Sequence, residues 1–140
     1  MKEINTSGII KGGLLAGLVI NIGGSIQNEL VMKDQWDAAL QSLDRAPISG
    51  ASAVWLILMG FVMGLALVWI YAAVSPRFGQ GHKAAIAAGL ITWLLVYVLA
   101  FGWSAAMEVY SIKLYVSTVG WTLFETLAAA FVGAWLYERG

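Results

Sequence analysis

The sequence predicts an all-α membrane protein of four transmembrane helices, arranged as two related helix pairs in a single domain over residues 1–140. Three observations predict this fold class. Hydrophobic residues make up 60% of the 140 residues and charged residues only 11%, a balance more apolar than that of soluble domains. Four apolar stretches approach or exceed the roughly 20 residues that a helix needs to cross a hydrocarbon core. Two parts of the chain also resemble each other.

The predicted transmembrane helices cover residues 9–31, 51–74, 84–107 and 115–137. A helix satisfies its own backbone hydrogen bonds, which lipid cannot do, and the alternating pattern of membrane strands is missing. Pro47 and Pro76 fall between the predicted helices, where a residue that cannot continue a helix does no damage.

The longest polar stretch, KDQWDAALQSLDRAP at residues 33–47, separates the first two helices. Trp36, Leu40 and Leu43 recur there at helical spacing, and acidic residues occupy the rest of the helical wheel. This pattern predicts a short helix lying in the membrane interface. A solvated loop anchored by one tryptophan is the alternative.

An internal repeat relates the two halves, at about residues 8–75 and 80–140. KGGLLAGLVI from Lys11 aligns with KAAIAAGLIT from Lys83, an offset of 72 residues. Three aromatic residues of the second helix also align with three of the fourth at an offset of 66: Trp55, Trp69 and Tyr71 with Trp121, Trp135 and Tyr137. Duplication of a helix pair keeps its orientation in the membrane. Interfacial aromatic belts are the alternative explanation for the aromatic match.

Small residues four positions apart occur in every predicted helix. Such GxxxG-like steps let helix backbones approach closely, which matters because lipid supplies no hydrophobic drive for helix association. The glycines expected at helix contacts are Gly13, Gly17, Gly60, Gly64, Gly89 and Gly133.

One carboxylate, that of Glu125, lies near the middle of the fourth predicted helix. A charge there is costly, so the group is either neutral or paired with a donor from another helix. Asn21 lies at nearly the same depth in the first helix and is the expected donor, with Thr92 and Thr122 as other candidates. Glu125 is then either an ion or proton site or one partner in a structural hydrogen bond. The lack of further ionisable residues along a path favours the structural interpretation.

Cofactor and nucleic-acid functions have little support in the composition. The net charge is zero and cysteine is absent, which argues against nucleic-acid binding and excludes disulfides and thiolate metal sites. The lone histidine, His82, in the loop before the third helix, is a weak candidate for ligating a cofactor and is more often simply exposed. We predict no metal site and no cofactor, although contact with lipid, quinone or pigment stays open. Most of the seven tryptophans, Trp121 among them, fit interfacial anchors.

The basic residues predict the orientation of the chain. More of them fall on the side that holds both termini (Lys2, Lys11, Arg77, Lys83 and Arg139) than on the opposite side (Lys33, Arg45 and Lys113). The positive-inside rule then places both termini in the cytoplasm.

Two segments, VWIYAAVSPRFGQGHKAAIAAG at residues 68–89 and ETLAAAFVGAWLYERG at residues 125–140, resemble a group of small bacterial four-helix integral membrane proteins with no assigned activity. The resemblance implies that Glu125 and the loop at residues 77–83 are positions that the group also carries. It also implies a bacterial origin, and with four transmembrane helices the expected location is the bacterial cytoplasmic membrane.

Motifs for catalysis are missing, including HExxH, GxSxG and paired intramembrane aspartates, so we expect no enzyme. The function expected first is that of an accessory or scaffold subunit in a larger membrane complex, of respiratory or photosynthetic type. The partners would be lipid and other membrane subunits, or further copies of the chain. A small oligomeric transporter or channel that uses Glu125 as an ion or proton site is the alternative.

Overall fold

The computed structural model describes residues 3–140, and this part of the chain is helical, with no strand. The helices are α1 (Thr6–Ile26), continued by a π-helical stretch (Gln27–Val31); α2 (Lys33–Ser42); α3 (Ala51–Phe78); α4 (His82–Trp93), continued by a second π-helical stretch (Leu94–Ala100) and by α5 (Phe101–Ala106); and α6 (Ile112–Arg139). Lys2, counted above among the basic residues, lies outside the described residues.

Four segments are long and apolar enough to cross a membrane: Thr6–Val31, Ala51–Phe78, His82–Ala106 and Ile112–Arg139. They are called the first to fourth spans below. They confirm the predicted all-α membrane fold, and α2 confirms the short helix between the first two spans. The chain is therefore a multi-pass membrane protein.

The second span ends later than predicted, and Pro76 lies inside α3 rather than after it. A proline in the last helical turn removes only one backbone hydrogen bond, because its missing N–H would have bonded four residues back. The Tyr71 carbonyl, next to the carbonyl that loses its bond, accepts a hydrogen bond from the Ser75 hydroxyl at 2.6 Å. The helix instead ends at Gly79, whose φ of 82° is readily adopted only by glycine.

Four helices form a bundle in which α1 packs mainly on α3 and α6, while α4 packs on α6 and α3. Both ends of the described chain lie at one end of this bundle, called the termini end. There Tyr71 is fully buried, donates its hydroxyl proton to Glu138, and accepts the Gly81 N–H at 2.9 Å. These bonds join α3, α6 and the turn before α4.

Small residues fill the core toward the termini end. A methyl group added to Gly12 would meet the Gly133 carbonyl, and one added to Gly13 would meet the backbone of Leu65. The other buried small residues of the core are Ala16, Ala84, Ala85, Ala88, Ala129, Ala130 and Ala134. At these glycines the helix backbones are too close to admit a side chain, and the larger buried residues Leu67, Val68 and Tyr71 fill the rest of this core. The termini half of the bundle is therefore tightly packed.

Contacts within each half of the chain occur at related positions. Gly17 packs against Phe61 in the first half, and Gly89 packs against Leu127 in the second. These two pairs correspond under the offsets of 72 and 66 residues given by the sequence. The internal duplication itself stays a prediction.

The opposite end of the bundle, called the α2 end, is more open. Residues 94–106 of the third span contact the fourth span but make few contacts with α3, and residues 27–31 contact mainly α1 and α2. The spans therefore diverge toward this end, and α2 lies over the space that they leave.

Candidate functional site

A cavity of about 670 Å³ occupies the divergent half of the bundle. Trp36 and Leu40 of α2 line it at its outer end, and Glu125 lines it deep in the bundle. Its polar lining residues are Asn21, Ser25, Gln27, Asn28, Glu29, Tyr97, Ser104, Tyr110, Thr118 and Glu125. A cavity of this size with polar groups at defined positions is typical of a ligand or transport site.

Both π-helical stretches border the cavity. Gln27, Asn28 and Glu29 belong to the first of them, and Val96 and Tyr97 to the second. A π-helical turn is wider than an α-helical turn and is often found at functional sites. Here the two stretches present amide, carboxylate and phenol groups to the same space.

Glu125 lies halfway along α6, 13 residues after Ile112 and 14 before Arg139. Its side chain is only 8% exposed. The Trp121 Nε1–H, one helical turn earlier, lies 3.1 Å from the carboxylate Oε2 and 3.2 Å from the Gly23 carbonyl oxygen of α1. Trp121 thus shares one proton between the carboxylate and the backbone of the facing helix.

The Tyr97 hydroxyl also approaches the Glu125 carboxylate, while it donates a long hydrogen bond of 3.8 Å to the Met63 sulfur. Tyr97 comes from the third span and Met63 from the second. Glu125 therefore lies where side chains from several spans meet.

No basic side chain compensates Glu125. In residues 3–140 the one ion pair joins Lys33 to Asp37 at 3.0 Å, and the cavity lining contains two glutamates but no lysine, arginine or histidine. The hydrogen bond and the charge of Asp37 raise the pKa of Lys33 above its ordinary value, with a smaller contribution from Glu29. Lys33, the basic residue of α2, is thus paired with Asp37 rather than with a glutamate of the cavity. The cavity lining keeps two acidic residues and no basic one.

A second opening reaches Glu125 from the side of the bundle. This groove, of about 540 Å³, lies between α1 and α6 and is lined by Val19, Ile22, Gly23, Trp121, Phe124, Glu125 and Ala128. Ile22 is 52% exposed and Phe124 is 76% exposed, and both lie inside their spans rather than at the ends. The groove therefore faces the hydrocarbon of the membrane rather than water.

The predicted hydrogen bond between Asn21 and Glu125 is not formed. The Asn21 amide donates instead to the Ile57 carbonyl of α3 at 3.1 Å. Thr122 donates to the Thr118 carbonyl in its own helix, and the Thr92 hydroxyl is buried without a partner within residues 3–140. Similar depth in the membrane did not bring these groups to the carboxylate, because they face other neighbours.

His82 is the first residue of α4 rather than a loop residue, and its side chain is exposed. Its ring lies 5.7 Å from the Phe131 ring. No group of three or more histidine, cysteine or acidic side chains within residues 3–140 could hold a metal ion. His82 lines neither the cavity nor the groove between α1 and α6 described above.

The six glycines expected at helix contacts lie in the spans as follows. Gly13 and Gly17 of α1 face Leu65 and Phe61 of α3, and Gly60 and Gly64 of α3 face α1. Gly89 of α4 faces Leu127 and Ala130, whereas Gly133 of α6 faces Val68 and Ala16.

Sequence reasoning missed Trp121, Tyr97 and Gly23 as parts of the site. The sequence predicts that Trp121 belongs to the interfacial belt, yet its indole N–H is bonded within the bundle. The spacing of four residues between Trp121 and Glu125 was the available signal, because residues four apart meet on one helix face. Tyr97 gave no comparable signal, since the π-helical stretch that holds it does not follow the normal helical period.

Replacing Trp121 with Phe is expected to lower the free energy of unfolding by about 1–2 kcal/mol, because it removes a donor from a buried carboxylate and from a backbone carbonyl. Reversible unfolding in mixed micelles would measure this loss. Trp69, which is 53% exposed on α3, provides the matched control as Trp69→Phe. Equal losses in the two variants would show that the shared hydrogen bond does not stabilise the bundle.

No family model, no curated protein and no solved structure matches the chain.

Proposed function

We propose that this chain is a small transporter or channel of the membrane, in which Glu125 binds and releases a proton or a cation. The observation that carries the proposal is the position of Glu125: a mid-span carboxylate without a basic partner, lining a cavity into which other spans also place polar side chains. Ionisable groups inside a membrane are costly and commonly mark ion pathways or proton relays. The other acidic group of the cavity, Glu29, lies toward its outer end and would attract cations to it.

The accessory-subunit interpretation has weaker support. One of the features that favour it is the set of small-residue faces on the helices, which could pack against a partner. Those faces are used within the chain, since Gly13 packs on Leu65 and Gly133 packs on Val68 and Ala16. A subunit of a larger complex stays a prediction, as does assembly into an oligomer, and neither explains the polar cavity.

The proposed location is a bacterial cytoplasmic membrane, with both termini in the cytoplasm. The distribution of basic residues supports this orientation, and the resemblance to small bacterial four-helix proteins supports the bacterial origin. In it, the cavity opens toward the outer side and the tightly packed half faces the cytoplasm. Transport would then require a rearrangement that opens the termini half, as alternating access does. No catalytic step is proposed.

Flux through proteoliposomes tests the proposal. The parent protein should move protons, measured with a trapped pH-sensitive dye, or monovalent cations down a gradient. Glu125→Gln keeps the size of the side chain and an oxygen for the Trp121 N–H but cannot carry a negative charge. It should lower the flux by about tenfold or more.

Glu108→Gln is the matched control, because Glu108 is an exposed carboxylate in the turn after α5 and lines neither the cavity nor the groove. It should leave the flux unchanged. Equal flux in the parent and Glu125→Gln, or no flux in either, removes the proposal.

A further inference from the structure

Glu125 lies on the wall between two spaces of different chemistry. The cavity at the α2 end is lined by polar side chains among aliphatic and aromatic ones, while the groove between α1 and α6 is apolar except for Glu125 and the indole N–H of Trp121. Both spaces include Glu125 in their lining. Glu125 is therefore the residue that the cavity and the groove share.

The groove is poorly suited to a bare metal ion. Hard cations need several oxygen ligands to replace their hydration shell, and the only side-chain oxygens in the groove are those of Glu125. Ions of this kind also do not dissolve in the hydrocarbon that the groove faces. Whatever enters by this route must already be soluble in lipid.

The remaining residues define a complementary ligand. Trp121 and Phe124 give aromatic surfaces beside the carboxylate, and Val19, Ile22 and Ala128 give aliphatic ones. Aromatic faces attract organic cations, and the attraction grows when water is excluded. A volume of about 540 Å³ is within the range of sites for drug-sized molecules.

We propose that the groove between α1 and α6 binds a hydrophobic organic cation that enters from the lipid, with its charge against Glu125 and its apolar body against Trp121 and Phe124. Binding in the groove would bring the cation to Glu125, which also lines the cavity. Transport of the bound cation rests on the proposed function. The substrate class is a lipid-soluble amine or onium ion. Charge complementarity selects cations, because no basic side chain lines either space.

Binding of radiolabelled tetraphenylphosphonium to the full chain in lipid nanodiscs tests this inference. The parent should bind the probe saturably, above the partitioning of empty nanodiscs. Glu125→Gln should weaken binding by about tenfold or more, because the counter-charge is lost. Ala128→Trp should do the same without touching the carboxylate, because Ala128 is exposed and lines only the groove.

Ala66→Trp provides the matched control for Ala128→Trp. Ala66 is also an exposed alanine within a span, on α3, and lines neither space. The Ala66→Trp variant should bind the probe with an affinity within about twofold of that of the parent, because surface substitutions usually have small effects. A comparable loss in Ala66→Trp and Ala128→Trp would overturn the lateral groove as the binding site.

The outcomes separate this inference from the proposed function. Proton or cation flux that depends on Glu125, without saturable binding of tetraphenylphosphonium, overturns the inference and leaves the transporter standing. Binding that depends on Glu125 and Ala128, without any flux, supports the inference and overturns transport. Binding that survives Glu125→Gln overturns the assignment of the site.

Discussion

Replacing Gly64 with Val is expected to lower the free energy of unfolding by about 3 kcal/mol, the upper part of the usual range for overpacking a core. Gly64 is buried in α3, and a methyl group added there would overlap the backbone of Gly17 and the carbonyl of Gly13 in α1. Backbone atoms cannot rotate away as a side chain can. The two helices would have to separate along their most extensive contact.

Gly120→Val is the control for this prediction. Gly120 also lies in a span, in α6, but a methyl group added there meets no atom within 4 Å. The two variants thus share the chemical change and differ in the space around it. Reversible unfolding in mixed micelles compares them, and a loss for Gly64→Val no larger than that for Gly120→Val would show that the α1–α3 contact tolerates separation.

The sequence predicted the fold well because the membrane imposes strong and simple rules. Length and hydropathy located all four spans, and helicity follows from the need to satisfy backbone groups in lipid. The boundaries were less accurate. Pro76 was expected to end the second span, yet one lost hydrogen bond in the last turn is tolerated there.

The site was harder to predict, because depth along a span does not fix the direction of a side chain. Asn21 and Glu125 lie at similar depths, but Asn21 lies four residues after Gly17, on the face of α1 that packs against α3. Gly23 lies seven residues after Ala16, on the face that packs against α6. The spacing alone distinguishes two faces of α1 but does not show which neighbour covers each.

The predicted repeat also bears on the uniqueness of the site. Under the offset of 66 residues, Glu125 corresponds to Met59 and Trp121 corresponds to Trp55. Met59 has no carboxylate, and the Trp55 side chain is 63% exposed instead of donating inside the bundle. The equivalent positions of the first half therefore form no such site. If the halves share an ancestor, the Glu125 site belongs to the second half alone.

Gly23→Ala is expected to reduce flux that depends on Glu125 by about tenfold or more, since small displacements of a catalytic or binding group have large effects. A methyl group at Gly23 would lie 2.6 Å from the Glu125 Oε2 and 2.9 Å from its carboxyl carbon. These distances are too short, so the whole carboxyl group must move. Because it is the flexible end of a side chain, it can move without separating α1 from α6.

Gly120→Ala is the control, because Gly120 also lies in a span, lines neither the cavity nor the groove, and a methyl group added there meets nothing within 4 Å. Both changes gain the same helix propensity, about 0.5–1 kcal/mol for glycine to alanine. Proteoliposome flux should therefore fall in Gly23→Ala alone, while both variants keep the helical circular dichroism of the parent. Equal flux in the two variants would mean that the position of the Glu125 carboxylate against α1 is not part of the transport site, and that Glu125 acts, if at all, from the cavity side.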